Sequence, residues 1–229
     1  GFTQLACAKY TVLSFVHVGK SNYHSVKREK RSFPVQTQME ENMEVIEKIM
    51  GGGINFKQVD QVGFVVEDME DAIRNFSDKL GVRDWYRPRK SEEDEGKIIY
   101  RGEEIVPEID FVLGYCGRLQ FELVTTGGPK NIYSEHLERH GEGLHHICFF
   151  IKDIDATMAE YKKMGVEPIQ TGSVLGKGGA VTRYAYMDGS LTNGLIVELS
   201  ETKLFGINTK MSPVMMKVGH LTGDLEKVT

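Results

Sequence analysis

Cysteine is scarce in this 229-residue chain: Cys7, Cys116 and Cys148 are an odd number with no C-x-x-C spacing. That excludes both a disulfide framework and a thiolate zinc site. Long apolar runs are missing as well. The longest near the start, Tyr10 to Val18, is broken by Thr11, Ser14 and His17 and is too short to cross a bilayer. Positive charge is in deficit, with 28 Lys+Arg against 33 Asp+Glu and a formal net charge of −5. A protein that holds nucleic acid mainly by electrostatic attraction is thereby excluded. Hydrophobic residues at 40% and charged residues at 27% are ordinary for a globular protein and too apolar for a disordered chain. One large domain or two small ones fit this length.

Methionine is absent before Met39, and acid is nearly absent there too. Residues 1 to 38 hold six Lys/Arg against a single acid, Glu29, and are rich in Ser, Thr and Tyr. Such a stretch reads as a transit peptide; equally, the natural start is Met39 or Met43 and what precedes it is a leader or a non-native extension. Both readings stay open. The basic run Lys27 to Arg31 is read as part of a solvated arm, with residues 1 to about 40 poorly ordered. The cysteine usage suits an intracellular, cytoplasmic protein, or one of an organelle matrix if the opening is a transit peptide.

What is present is a duplication. After an expected helix over Glu41 to Met50, stopped by Gly51 to Gly53, residues 59 to 82 (VDQVGFVVEDMEDAIRNFSDKLGV) match residues 144 to 166 (LHHICFFIKDIDATMAEYKKMGV) with one extra residue in the first copy. Each copy runs from a β-rich stretch to an acidic N-cap, Asp68 or Asp153, and then into a helix. The apolar stripes Met69, Ile73, Phe76, Leu80 and Ile154, Met158, Tyr161, Met164 follow helical spacing. Strands are expected at 97–104, 109–115 and 119–125 in the first copy, and at 167–171, 181–187 and 195–200 in the second. A short linker helix is expected from Asn131 to Arg139, ending at Gly141. The unit is β-α-β-β-β, twice, an α+β fold. Each unit alone leaves one sheet face bare, so two must pair, within the chain or in a homodimer, around a concave surface.

Superposing the copies aligns Gln61 with His146 and Glu122 with Glu198. Four polar groups then stand among β-formers, where burial without a partner is costly. Convergence on an ion would satisfy them, and an imidazole, two carboxylates and an amide oxygen suit a divalent metal such as Zn, Co, Ni, Mn or Mg. Taken singly, Gln61 is a strand amide bonded to backbone, and Glu122 and Glu198 are exposed strand residues. The symmetry favours the site. His145 falls on the opposite strand face from His146 by alternation and is read as structural.

These residues resemble the vicinal oxygen chelate superfamily, which includes glyoxalase I, methylmalonyl-CoA epimerase, extradiol dioxygenases and bleomycin-resistance proteins. The resemblance covers about residues 57 to 202, and HGEGLHHICFFIKDIDATMAEYKKMGV and MDGSLTNGLIVELSE look most like the epimerase branch. It implies paired βαβββ modules forming an open barrel, with a divalent metal held by Gln61, Glu122, His146 and Glu198. Epimerases carry His where Gln61 stands, whereas eukaryotic-type glyoxalase I uses the Gln/Glu/His/Glu set in this order. The glutathione clamp of that enzyme would fall on Val65, Thr126 and Glu142, and is missing. Extradiol dioxygenases need two histidines and a carboxylate, which Gln61 breaks. The implied activity is removal of a proton next to a carbonyl, with Glu198 as base and Glu122 as the opposing acid or base. The implied substrate is a small molecule, an acyl-CoA first, with a glyoxalase-like lyase second and a non-enzymatic binding module third.

Four further segments carry no firm assignment. Gly172 to Gly179 fails the phosphate-loop spacing and reads as a mobile loop over the cavity, where Lys177 could touch an anionic tail such as that of CoA. Glu92 to Glu95 read as a solvated loop. Trp85, Tyr86 and Arg87 line the cavity or pack in the core. From residue 203 onward Met211, Val214, Met215, Met216 and Val218 form a Met-rich amphipathic tail suited to capping the pocket or a dimer contact.

Overall fold

A computed structural model describes residues 56–229 of the chain. The expected helix at 41–50, Cys7 and the basic opening lie outside the described residues. Twelve strands form one curled mixed sheet in the order β12-β2-β5-β6-β1-β7-β10-β9-β8-β3-β4, with β11 beside β10. The first module comprises β1 (Gln61–Val65), α1 (Met69–Leu80), β2 (Arg83–Pro88), β3 (Ile98–Tyr100), β4 (Glu103–Ile105), β5 (Glu108–Cys116) and β6 (Leu119–Gly127). Helix α2 (Ile132–His140) leads to the second, which comprises β7 (Gly143–Phe150), α3 (Ile154–Lys163), β8 (Pro168–Leu175), β9 (Ala180–Met187) and β10 (Ile196–Leu204). Strand β11 (Ile207–Thr209), helix α4 (Pro213–Thr222) and β12 (Leu225–Lys227) follow. Among the described residues no helix is long and apolar enough to cross a membrane.

The duplicated sequence builds duplicated structure. Asp68 and Asp153 each accept a hydrogen bond at 2.9 Å from the backbone N–H three residues on, the N-cap role their position predicts. Gly81 closes α1 in the left-handed conformation with φ 71°. Helix α2 starts at the Asn131 capping box and ends before Gly141. Strands β1 and β7 pair antiparallel and join the modules within the chain, while β6 and β10 run parallel to β1 and β7 on either side. Alternation along these four strands sends Phe121 and Leu123 toward α1, and Val197 and Leu199 toward α3. The intervening residues face the concave side.

Three expectations need correction. The second strand of the first module is β2, not 97–104: Arg83, Asp84 and Pro88 hide it in sequence, and only Trp85 and Tyr86 of its six residues are buried. Residues 97–104 instead fold into the β3–β4 hairpin, which leaves its own module and pairs with β8 of the other. The stretch 172–179 is a strand end and tight turn rather than a mobile loop, because β8 continues to Leu175 and turns into β9, although Ser173, Val174 and Gly176 do line the cavity. Its turn is tied down by Asp224, whose carboxylate accepts from the N–H groups of Gly178 and Ala180 at 2.8 and 3.1 Å. Nor is the acidic loop simply solvated, since Asp94 accepts from the backbone N–H groups of Gly96 and Leu175.

Candidate metal centre

Two rows of inward-facing residues cross the middle of the sheet. One runs Gln120, Gln61, Cys148, Glu198, Tyr186; the next runs Leu113, Glu122, Gly63, His146, Ile196. The pairing makes Gln61 and His146 counterparts in the two modules, and likewise Glu122 and Glu198. Gly63 and Cys148 are counterparts as well.

Gly63 decides how the imidazole lies. A Cβ at this position would fall inside the His146 ring, so the absence of a side chain is what lets the ring lean across β1. His146 Nε2 thereby comes within 3.2 Å of Glu122 Oε2 and 3.0 Å of Glu198 Oε2. One ligand atom from each of the three can be chosen with all separations inside 4.8 Å, and all three residues are buried. Gln61, also buried, lines the same cavity as the two glutamates.

The four atoms that coordination would use are among seven buried side-chain atoms of the described residues left without a hydrogen bond, the other three being on Arg87, His145 and Gln170. Gln61 Oε1, Glu122 Oε2, His146 Nε2 and Glu198 Oε2 are each buried and unpartnered in this sense. Buried polar atoms are nearly always satisfied, so four orphans on one small set of residues fit a cation as their shared partner. Two buried carboxylates, one imidazole and one amide oxygen make an oxygen-rich donor set with room for a substrate oxygen.

Electrostatics agrees with the geometry. Burial opposes charge on His146, but the flanking carboxylates outweigh it and hold the imidazole up to about 9. Burial pushes the Glu122 carboxyl up, partly offset by the adjacent His146 imidazole. Burial, with His146 and His136 adding, pushes His145 down to about 2, so its ring is neutral.

His145 is not on the far face of the strand. Gly63 pairs with His146 and Phe64 with Leu144, which leaves His145 as the extra residue of a bulge. Its Nδ1 lies 2.9 Å from His146 Nδ1. A neutral His145 accepts there from the His146 Nδ1–H, and that directs the other nitrogen, Nε2, at the two carboxylates.

The cavity measures about 140 Å³ and is walled largely by apolar side chains, among them Ile109, Phe111, Leu113 and Leu204. Met211 and Met215 of the C-terminal segment line it, so that segment covers the pocket of its own chain. Tyr133 and Tyr186 also line it, their hydroxyls 2.7 Å apart. Burial and the nearby glutamates raise both phenols well above their ordinary range, leaving them neutral. Lys90, which lines the cavity, forms an isolated bridge with Gly176, and the Lys177 N–H donates to the Arg89 carbonyl. Trp85 is core, fully buried against α1.

The sequence reading missed Gly63, Gln120, Tyr133 and Tyr186. A lone glycine inside a β-rich run is a signal of close approach and could have exposed Gly63. Nothing local marks the other three.

The family model of the Glyoxalase/Bleomycin resistance protein/Dioxygenase superfamily matches residues 60–186, more than half of the chain. The chain belongs to this superfamily. Its relatives include the Bacillus subtilis (strain 168) protein YqjC, itself uncharacterised, which is 23% identical over 146 residues spanning 64% of this chain and 93% of that one. Similar solved structures include a methylmalonyl-CoA epimerase from Mycobacterium tuberculosis, 20% identical with a TM-score of 0.47 over 63% of this chain and 87% of that one. Another is a variant of the Streptomyces coelicolor methylmalonyl-CoA epimerase in complex with 2-nitronate-propionyl-CoA, 18% identical with a TM-score of 0.48 over 64% of this chain and 97% of that one. In this superfamily member the match takes in three of the four converging residues, all but Glu198.

Proposed function

We propose that this superfamily member is a divalent-metal-dependent isomerase or lyase that removes a proton from carbon next to a carbonyl, with epimerisation of a 2-substituted acyl-CoA as its reaction. The observation that carries the reading is the set of four buried atoms without a hydrogen bond on Gln61, Glu122, His146 and Glu198, three of them drawn together around His146 Nε2. Those four residues would hold the ion. When bound, it would polarise the substrate carbonyl as a Lewis acid and stabilise the negative charge that develops on its oxygen.

The chain supplies the proton chemistry. Glu198 takes the proton from the carbon next to the carbonyl, and Glu122, on the opposite module, returns one to the other face. Burial raises the proton affinity of Glu122, which suits a group that must hold a proton to give. The neutral hydroxyls of Tyr133 and Tyr186 share one hydrogen bond between them, which leaves one O–H to donate to a substrate oxygen. The apolar wall excludes water from the carbanion. A volume of about 140 Å³ resembles the ~150 Å³ void that takes one benzene, so it suits a short acyl group. A longer anionic tail would extend past Lys90, the lysine that lines the cavity.

The ligand order also matches eukaryotic-type glyoxalase I, yet the three clamp positions are otherwise employed. Val65 is core, Thr126 bonds the Asn131 side chain, and Glu142 accepts from the Glu67 N–H at 2.7 Å. Glutathione adducts are therefore the second choice of substrate.

The test is deuterium wash-in at the α-carbon of 2-methyl acyl-CoA thioesters and of 2-oxo compounds, using protein loaded with a stoichiometric divalent ion. Exchange that disappears in Glu198→Gln is expected. A stoichiometric ion without exchange on any of these compounds would leave a binding module, and no ion at all would remove the metal as well.

A further inference from the structure

An amide makes a directional ligand only if its oxygen, not its nitrogen, faces the ion. Gln61 lines one cavity with two carboxylates, which on their own would attract its NH₂ group. Something must hold the amide the other way.

The two modules solve the same problem differently. In the second, the ligand His146 leans over a glycine and is oriented by His145. In the first, the place equivalent to that glycine is filled by Cys148, so Gln61 lacks the room that His146 has. It turns instead along its own row to Gln120. Gln61 Nε2 donates to Gln120 Oε1 at 2.7 Å. Gln120 Nε2 in turn donates to Tyr115 Oη at 2.9 Å and faces Met216 Sδ at 3.8 Å. Both ends of the Gln120 amide are thus engaged, and the remaining free atom of Gln61 is its oxygen, buried and unpartnered.

The duplication supplies an internal control. Gln120 pairs with Gln61, and Ile196 pairs with His146, so Ile196 is the second-module counterpart of Gln120. An apolar residue serves the sheet at that position, and Gln120 is only 1% exposed. The fold therefore does not call for a polar group there, and the amide ligand does.

We infer that Gln120 is a positioning residue for the metal centre: it fixes the Gln61 amide with Oε1 toward the ion, and through Met216 it joins that ligand to the C-terminal helix. The inference rests on the metal-dependent reading above.

Isothermal titration with Mn²⁺, Co²⁺ and Zn²⁺ alone provides the test, on wild type, Gln120→Leu, Gln61→Leu and the double variant. Loss of an orienting partner behind a ligand typically weakens metal binding 10- to 100-fold, and that is the loss expected for Gln120→Leu. Adding Gln120→Leu to Gln61→Leu should cost less than threefold more, roughly the scatter expected of independent sites. If Gln120→Leu binds the ion as wild type does, the inference falls while the metal reading stands. If it weakens binding equally with and without Gln61, Gln120 is merely structural and the inference falls. If wild type takes up none of the three ions, both fall together. A measurement on metal-free wild type guards against a variant that fails to fold. Its ¹⁵N–¹H spectrum must show a Gln61 side-chain amide proton protected from exchange with water by its hydrogen bond, and exchange as fast as that of a free side-chain amide would overturn the inference.

Discussion

Gly63→Ala should destabilise the protein and weaken its divalent-ion site together, although a general rule predicts the opposite sign for stability. Gly63 is absent from the positive-φ residues, so its backbone conformation is one that alanine adopts without strain. By restricting the unfolded chain, such a change would normally stabilise by about 0.4–1 kcal/mol. Here the new methyl falls inside the His146 ring. Overpacking of this kind costs about 1–3 kcal/mol, so the net effect is a loss on the order of 1–2 kcal/mol. To make room, the imidazole must swing off Gly63, which withdraws Nε2 from between Glu122 and Glu198. A site-bound ion present at 100 times its dissociation constant adds about 2.7 kcal/mol to wild type. The variant should lose most of that increment. Urea unfolding with and without Zn²⁺ measures both effects. Wild-type stability, or an unchanged metal-dependent increment, would refute the claim that this glycine exists to seat the imidazole.

Glu198→Gln should lower α-proton exchange by about 10²- to 10⁴-fold, the usual contribution of a general base, and equal rates in the two proteins would remove Glu198 from that role. In the metal-free protein His146 is held at about 9, above its unfolded value near 6.5, so its stabilising contribution is complete below about pH 6.5 and lost as pH rises through about 9. Because the ion must displace that proton, affinity should climb about tenfold per pH unit up to about pH 9. Calorimetry at pH 7 in buffers of differing ionisation enthalpy should register about one proton released per ion, and none would contradict the assignment of His146 as ligand. Met216 is 1% exposed, so Met216→Ala should cost about 2–5 kcal/mol in urea unfolding of the whole protein; less than 1 kcal/mol would mean that α4 is not part of the cooperative unit.

The central half of this architecture was legible because duplication repeats the same local signals. Acidic N-caps, helical stripes and the matched positions of Gln61 with His146 and Glu122 with Glu198 all follow from short-range rules. What escaped depends on contacts between distant segments. Strand β2 is encoded by RDWYRP, whose charges and proline read as a loop, and it becomes a strand because Trp85 is buried under α1 and β5 and β12 supply partners on either side. The misplacement of His145 came from assuming strict alternation where β7 carries a bulge. Gln120 sits in LQFELV, opposite the Ile196 of LIVELS, and that asymmetry acquires meaning only once Tyr115 and Met216 are beside it.

The additions to the duplicated unit share one physical purpose. A curled sheet of eight strands would expose two edges, one at β2 and one at β8, each a row of unpaired backbone groups. Strand β12 covers the first, and the β3–β4 hairpin, sent across from the opposite module, covers the second. The C-terminal segment also borders the cavity, which Asp224 and Leu225 line together with Gly176 of the second module. Arg89 donates its N–H to the Asp224 carbonyl at 2.7 Å, while the Asp224 carboxylate holds the β8–β9 turn. Asp224 thus links the strand end after β2, the β8–β9 turn of the second module and the C-terminal segment. Asp224 thereby joins the segment that covers the β2 edge to the turn that borders the cavity of the candidate site.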